Sequence, residues 1–154
     1  MDTSSEYSGG CQCGTVRFHV RGALVDASIC HCHVRSSPNY APLVSVRGTE
    51  FRWTRGAPKR FASSSVVQRG FCAECGTPLT YEAPDGVAVA AGAVDTPEQL
   101  PPHLQYRLDR KLPFVDSLAQ LPTRPPADDA AAEAFLANVV SRQHPDHDTA
   151  QWPV

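Results

Sequence analysis

The sequence has no run of about twenty apolar residues, the length a helix needs to cross a bilayer. Its first ten residues, MDTSSEYSGG, carry neither the basic start nor the apolar stretch of a secretory signal. A cytoplasmic location is therefore the expectation, with no membrane partner. In that reducing compartment cysteines serve for something other than disulfides. Positive charge is not in excess: 14 Lys plus Arg stand against 16 Asp plus Glu, a net charge of -2. Nucleic acid, which is gripped by clustered positive charge, is not an expected partner. Charged residues are sparse at 19%, but 42% are hydrophobic, the balance of a globular chain rather than a disordered one. No internal repeat is present. A chain of 154 residues is the length of one domain. It can bury roughly 68–70% of its unfolded surface, so it needs no disulfides merely to fold.

Proline, by contrast, is abundant: 14 of 154 residues, against a norm of ~5%. That frequency breaks long helices. The segment TVRFHV alternates, with Val16, Phe18 and Val20 on one face and Thr15, Arg17 and His19 on the other, the period of a half-buried strand. The same period recurs in EFRWT, PLTYE and LQYRLD, and PLVSV, SSVVQ and GVAVAAGAV also read as strands. Turn clusters such as Gly56-Ala57-Pro58 and Pro84-Asp85-Gly86 separate them, so the fold class is all-β. After Pro122 the pattern changes, which divides the chain into a domain over residues 8–122 and a C-terminal extension over 123–154. Residues 127–143 read as one helix, capped by Asp128 or Asp129. Ala132, Phe135, Leu136, Val139 and Val140 form its apolar stripe. That stripe either docks on the domain's own surface or makes a homodimer contact. DHDTAQWPV reads as a loose tail.

The six cysteines fall into three close pairs: Cys11 and Cys13, Cys30 and Cys32, Cys72 and Cys75. Two pairs share a frame, Cys-Gln-Cys-Gly and Cys-Ala-Glu-Cys-Gly, in which a glycine follows the second thiol. This is the form of a zinc knuckle, a tight turn that aims two thiolates at one point, with Gly14 and Gly76 supplying the positive φ. Neither knuckle completes a tetrahedral site alone. Together they supply four thiolates, a closed form of structural zinc site. Disulfides and unliganded thiols are the alternatives, and thiolates at tetrahedral geometry also suit iron.

The third pair sits in Cys30-His31-Cys32-His33, with no glycine after it and no third cysteine near. A catalytic zinc takes three protein ligands and keeps one position open. Cys30 and Cys32 would supply two of them, and His31 or His33 is the candidate third. An adjacent residue on an extended chain points to the opposite face, which makes either histidine an awkward partner. The alternative is a pair of free thiols beside Arg35, whose charge would lower a thiol pKa.

With these residues in view the chain resembles the glutathione-dependent formaldehyde-activating enzyme family, which includes centromere protein V. The resemblance rests on GGCQCGTVRF, on CHC at 30–32, on the run from Arg69 through Cys72, Cys75 and Gly76 to Leu79, and on AAGAVDTPEQL and LPFVDSL. It implies a β-tent of small sheets and a structural zinc at Cys11, Cys13, Cys72 and Cys75. It also implies carbon–sulfur lyase chemistry on thiol–aldehyde adducts, with a small thiol such as glutathione as partner. The family's second zinc uses Cys-His-Cys-x-x-Cys. Here the third position is Arg35, a guanidinium with no lone pair to give a metal. Cys30, Cys32 and Arg35 are the candidate catalytic residues. A non-catalytic zinc-stabilised binding or scaffold domain that has lost the second zinc is the rival reading.

The remaining polar residues receive plainer assignments. Arg17 and His19 are read as solvated, Arg69 as a screen for the four-thiolate site, Asp95 as a turn residue and Ser63 to Ser65 as a turn or strand edge. Phe51 and Trp53 are placed in the core, and Asn39-Tyr40 at a pocket wall.

Overall fold

The computed structural model describes residues 5–32 and 39–153. Ten strands and one α-helix run through them, as the all-β expectation requires. The strands are β1 (Glu6–Gly10), β2 (Arg17–Arg21), β3 (Ala27–Cys30), β4 (Ala41–Ser45), β5 (Glu50–Arg55), β6 (Lys59–Ala62), β7 (Gln68–Phe71), β8 (Pro78–Ala83), β9 (Gly86–Ala90) and β10 (Leu104–Tyr106). β1, β2 and β5 make an antiparallel three-stranded sheet in the order β1-β2-β5. The other seven form a sheet in the order β10-β3-β4-β9-β8-β7-β6, antiparallel except where β10 runs parallel to β3. A bridge between Gly9 and Val94 joins the small sheet to the segment following β9.

The alternation in β2 sets the core. Val16, Phe18 and Val20 are all fully buried. Phe18 meets Phe51 at 5.6 Å and Trp53 at 6.0 Å between ring centroids. Both aromatics pack against the core from β5, where the sequence placed them. From the large sheet, Val44, Val89 and Thr80 stand side by side across β4, β9 and β8 and are buried on the same side. Alternate residues of the same strands, among them Leu43 and Ser45, face a pocket on the other side. One face of the large sheet thus closes the core, and the opposite face floors a cavity.

Several local expectations are corrected. SSVVQ is not a strand: Ser63 and Ser64 amides donate to the Val67 carbonyl, making a hairpin turn, and β7 begins at Gln68. GVAVAAGAV stops being a strand at Ala90 and turns through a 3-10 segment, Ala91–Ala93. LQYRLD keeps only three strand residues before Arg107, at φ 59, turns the chain. The helix α1 spans Pro126–Leu136, shorter than the 127–143 read from the pattern, with no side-chain cap from Asp128 or Asp129. The stripe read from the pattern does not dock among the described residues: Phe135 and Leu136, and Val139 and Val140 beyond the helix, are all more than half exposed. Apolar spacing favours a helix but does not supply a surface to receive it. No helix among the described residues is long and apolar enough to cross a membrane.

Arg17 is also not solvated. Only 3% of it is exposed, because the chain after Val94 folds back over the outer face of β2. Its guanidinium grips Asp95 through both oxygens, at 2.9 and 2.5 Å, and reaches Asp148 at 2.7 Å. Ser8 donates to the same Asp95 oxygen. Asp95 is therefore the buried counter-ion of Arg17 rather than a turn former. Burial raises its pKa, but the hydrogen bonds from Arg17 and Ser8 outweigh that and hold the carboxyl below its ordinary value. His19 is half-buried, 3.7 Å from Glu6.

Removing one partner of a buried pair leaves an uncompensated charge, a cost of about 3–5 kcal/mol. Asp95→Asn leaves Arg17 its bond to Asp148, so the loss in urea melts at pH 7 should be smaller, about 1.5–3 kcal/mol. A lowered folded-state pKa stabilises above the unfolded value and is lost as pH falls through the folded one. The gap between wild type and Asp95→Asn should therefore narrow below the ordinary carboxylate range. A gap constant down to acid pH would show that the ion pair is not its source.

Candidate metal centre and dithiol pocket

The first knuckle lies between β1 and β2, and the second between β7 and β8. In each, the amide of the glycine closes the turn on the first cysteine's carbonyl: Gly14 to Cys11 at 3.0 Å, Gly76 to Cys72 at 2.9 Å. Both glycines have positive φ, 75° and 76°, as the motif requires. Gly14 has a second reason to lack a side chain, since a Cβ there would collide with the rings of His144 and Trp152. The Val16 amide also donates to the Cys11 sulfur at 3.2 Å, the kind of bond a knuckle gives a thiolate.

The four sulfurs of Cys11, Cys13, Cys72 and Cys75 lie within 4.8 Å of one another. Cys11 and Cys13 are 3.5 Å apart, and Cys13 and Cys72 are 3.7 Å apart. A tetrahedral ion bonded to sulfur at ~2.3 Å holds its ligands about 3.8 Å from each other. The donor set and its spacing therefore fit a bound metal ion. Burial and the neighbouring thiols push Cys11 up to about 12, and burial raises Cys72 as well. At Cys75 burial also works upward, but bonds from Thr77 and Cys13 win and bring it down to about 6. A cation at the centre would deprotonate such thiols outright.

Residues 144–152 close over the first knuckle, so the tail is not loose. The His144 amide donates to the Gln12 carbonyl at 2.8 Å, and the Trp152 indole donates to the Cys13 carbonyl at 2.9 Å. His144 is buried, donates from Nδ1 to the Pro145 carbonyl at 2.7 Å, and accepts at Nε2 from Thr149 at 2.9 Å. Arg55 ties the Gly14 carbonyl to Thr149. The signal available in sequence was a tryptophan and a histidine in an otherwise polar tail.

Cys30 and Cys32 occupy a different place. Ser28, Cys30 and Cys32 alternate onto the cavity side of β3 and its continuation, with their sulfurs 2.8 Å apart. His31 points the other way, as the strand period demands. It is buried, with Nε2 3.0 Å from Gln105 and its ring edge-on to Tyr40. His33 and Arg35 lie outside the described residues. All six cysteines are located, so no third thiol exists for this pair, and among the described residues only the other four group as metal ligands.

The cavity over the pair holds about 480 Å³ and is walled by Tyr81, Tyr106 and three arginines: Arg47, Arg69 and Arg107. Asp26 and Asp85 stand on the same wall, which leaves one positive charge over. Arg107 is committed to Asp109 by a two-pronged bond at 2.8 and 2.7 Å. It occupies the left-handed region without being glycine, a strained backbone of the kind found at functional sites. Arg69 makes no ion pair among the described residues and lies over the Tyr81 ring at 5.1 Å. It does not screen the four-cysteine cluster. It sits on the opposite face of β7 from Gly70 and Cys72, and its charge favours the Cys30 thiolate. Burial and the hydrogen bond shared with Cys32 nevertheless keep the Cys30 pKa above its ordinary value. Strand parity would have placed Arg69 correctly.

Fold and sites together define an all-β protein with a four-cysteine cluster that could hold a metal ion and a separate dithiol pocket. The chain belongs to the glutathione-dependent formaldehyde-activating enzyme family, whose sequence model matches residues 6–110. A crystal structure of a Rhodobacter sphaeroides protein shares the fold with a TM-score of 0.50 at 21% identity, covering 64% of this chain and 98% of that one. No curated protein matches.

Trp152→Ala should cost about 1–3 kcal/mol, in the range of a lost packed contact and hydrogen bond, and should speed metal loss to a chelator. Thermal melts and a colorimetric chelator assay would read both. Unchanged values in both would mean that the tail adds nothing to the knuckle.

Proposed function

We propose that the protein performs carbon–sulfur lyase chemistry on adducts of a small carboxylated thiol, such as glutathione, with an aldehyde, and that the four-cysteine centre holds a structural zinc. The observation that carries this reading is the dithiol pocket, where Cys30 and Arg69, which makes no ion pair among the described residues, face one cavity. Arg69 takes the carboxylate of the small thiol, a group that guanidinium recognises with two parallel bonds. The Cys30 thiolate takes the proton of the bound thiol, and the freed sulfur adds to the aldehyde carbon. The carbonyl π pair moves to oxygen, which takes that proton from Cys30, and one carbon–sulfur bond has formed. The reverse breaks that bond, returns the proton and frees the aldehyde. The zinc supplies no step of this reaction; it holds the two knuckles together.

A second reading, a zinc-stabilised binding domain without catalysis, is favoured by one observation: the pocket has two thiols and no third. Elemental analysis of purified protein should give one metal per chain. Exchange between formaldehyde and its glutathione adduct, followed by NMR, should run above the spontaneous rate. Cys30→Ser should cut that excess by about 100-fold, the scale of a lost catalytic group. An excess that survives Cys30→Ser removes Cys30 from the mechanism. No excess in the wild type leaves the binding reading.

A further inference from the structure

We propose that Cys30 and Cys32 form a reversible dithiol–disulfide couple that exchanges with small anionic disulfides admitted by the arginine-lined cavity. The proposal uses the same pocket as the lyase reading but stands independently of that chemistry. The two sulfurs are neighbours on one face of the chain, and both open onto the cavity. The Cys32 amide donates to the Cys30 sulfur at 3.4 Å. The remaining four thiols are gathered in their own cluster and take no part.

Electrons and atoms balance with a small disulfide as oxidant. The Cys30 thiolate attacks one sulfur of the bound disulfide, forms a mixed disulfide and expels one small thiolate. Cys32 loses its proton to solvent, and its thiolate attacks the Cys30 sulfur. The second small thiolate leaves and the Cys30–Cys32 bond closes. Two electrons pass from the protein sulfurs to the small molecule, and two small thiols are released. An excess of small thiol drives the same steps backwards. Arg69, on the wall of the same cavity and without an ion-pair partner among the described residues, is the cation that selects a carboxylated disulfide.

The test uses metal-loaded full-length protein exposed to glutathione disulfide or to uncharged hydroxyethyl disulfide, followed by native alkylation and tryptic mapping. Cleavage after Arg21 and Arg35 releases a peptide whose sole cysteines are Cys30 and Cys32. It should appear two hydrogens lighter and unalkylated, and reduced glutathione should restore it, with the metal content unchanged. Cys32→Ser should instead accumulate a glutathionyl group on Cys30, which the wild type does not. Arg69→Gln should slow closure by glutathione disulfide about tenfold, the loss of one charge-assisted contact, and leave hydroxyethyl disulfide unaffected. A wild-type peptide that stays fully alkylated, or that stalls as the mixed disulfide, overturns the couple. So does a second bound metal that blocks closure. Equal slowing of both oxidants by Arg69→Gln overturns the selection for anions. The wild-type peptide decides the central point even if a variant fails to fold.

Discussion

The convergence of four sulfurs from the two ends of a long loop is the constraint on which the other features rest. Cys13 and Cys72 are 59 residues apart in sequence. Cross-linking a loop of that length removes denatured-state entropy worth about 4 kcal/mol in the chain-entropy model. A structural zinc in an isolated finger is worth more, about 10–16 kcal/mol, against a whole-domain stability of about 5–15 kcal/mol. The knuckle turns fix where β1 meets β2 and where β7 meets β8. One ion between them would therefore set the position of the small sheet against the large one. The buried Arg17–Asp95 pair and the tail over Gly14 are built around that same junction.

The large sheet separates two kinds of work by strand parity. Val44 and Val89 point into the core, while Leu43, Ser45 and Cys30 point to the cavity. A four-cysteine cluster that could hold a metal ion and a separate pair of thiols thus share a small fold without sharing residues. In the cluster the 3.5 and 3.7 Å separations leave room for an ion.

Much of this was legible in the residues, because the decisive signals are local. The glycines after Cys13 and Cys75 declare the knuckles, and the alternation of Val16, Phe18 and Val20 declares the buried face of β2. What local pattern could not convey was which surfaces are later covered. Arg17 looks solvated until the segment carrying Asp95 folds back over it. The tail looks loose until Trp152 reaches the Cys13 carbonyl. The stripe from Phe135 to Val140 has the spacing of a docked helix, yet nothing among the described residues receives it. Arg69 was assigned by closeness in sequence to Cys72, and strand parity carries it to the other site.

The most direct test strips the metal from purified protein with a strong chelator, under reducing conditions, and follows far-ultraviolet circular dichroism and thermal melting. The account predicts that one equivalent of metal is released and that the cooperative transition is lost with it. A metal-free protein with an unchanged spectrum and melting temperature would contradict the claim that a single four-sulfur centre holds this fold together.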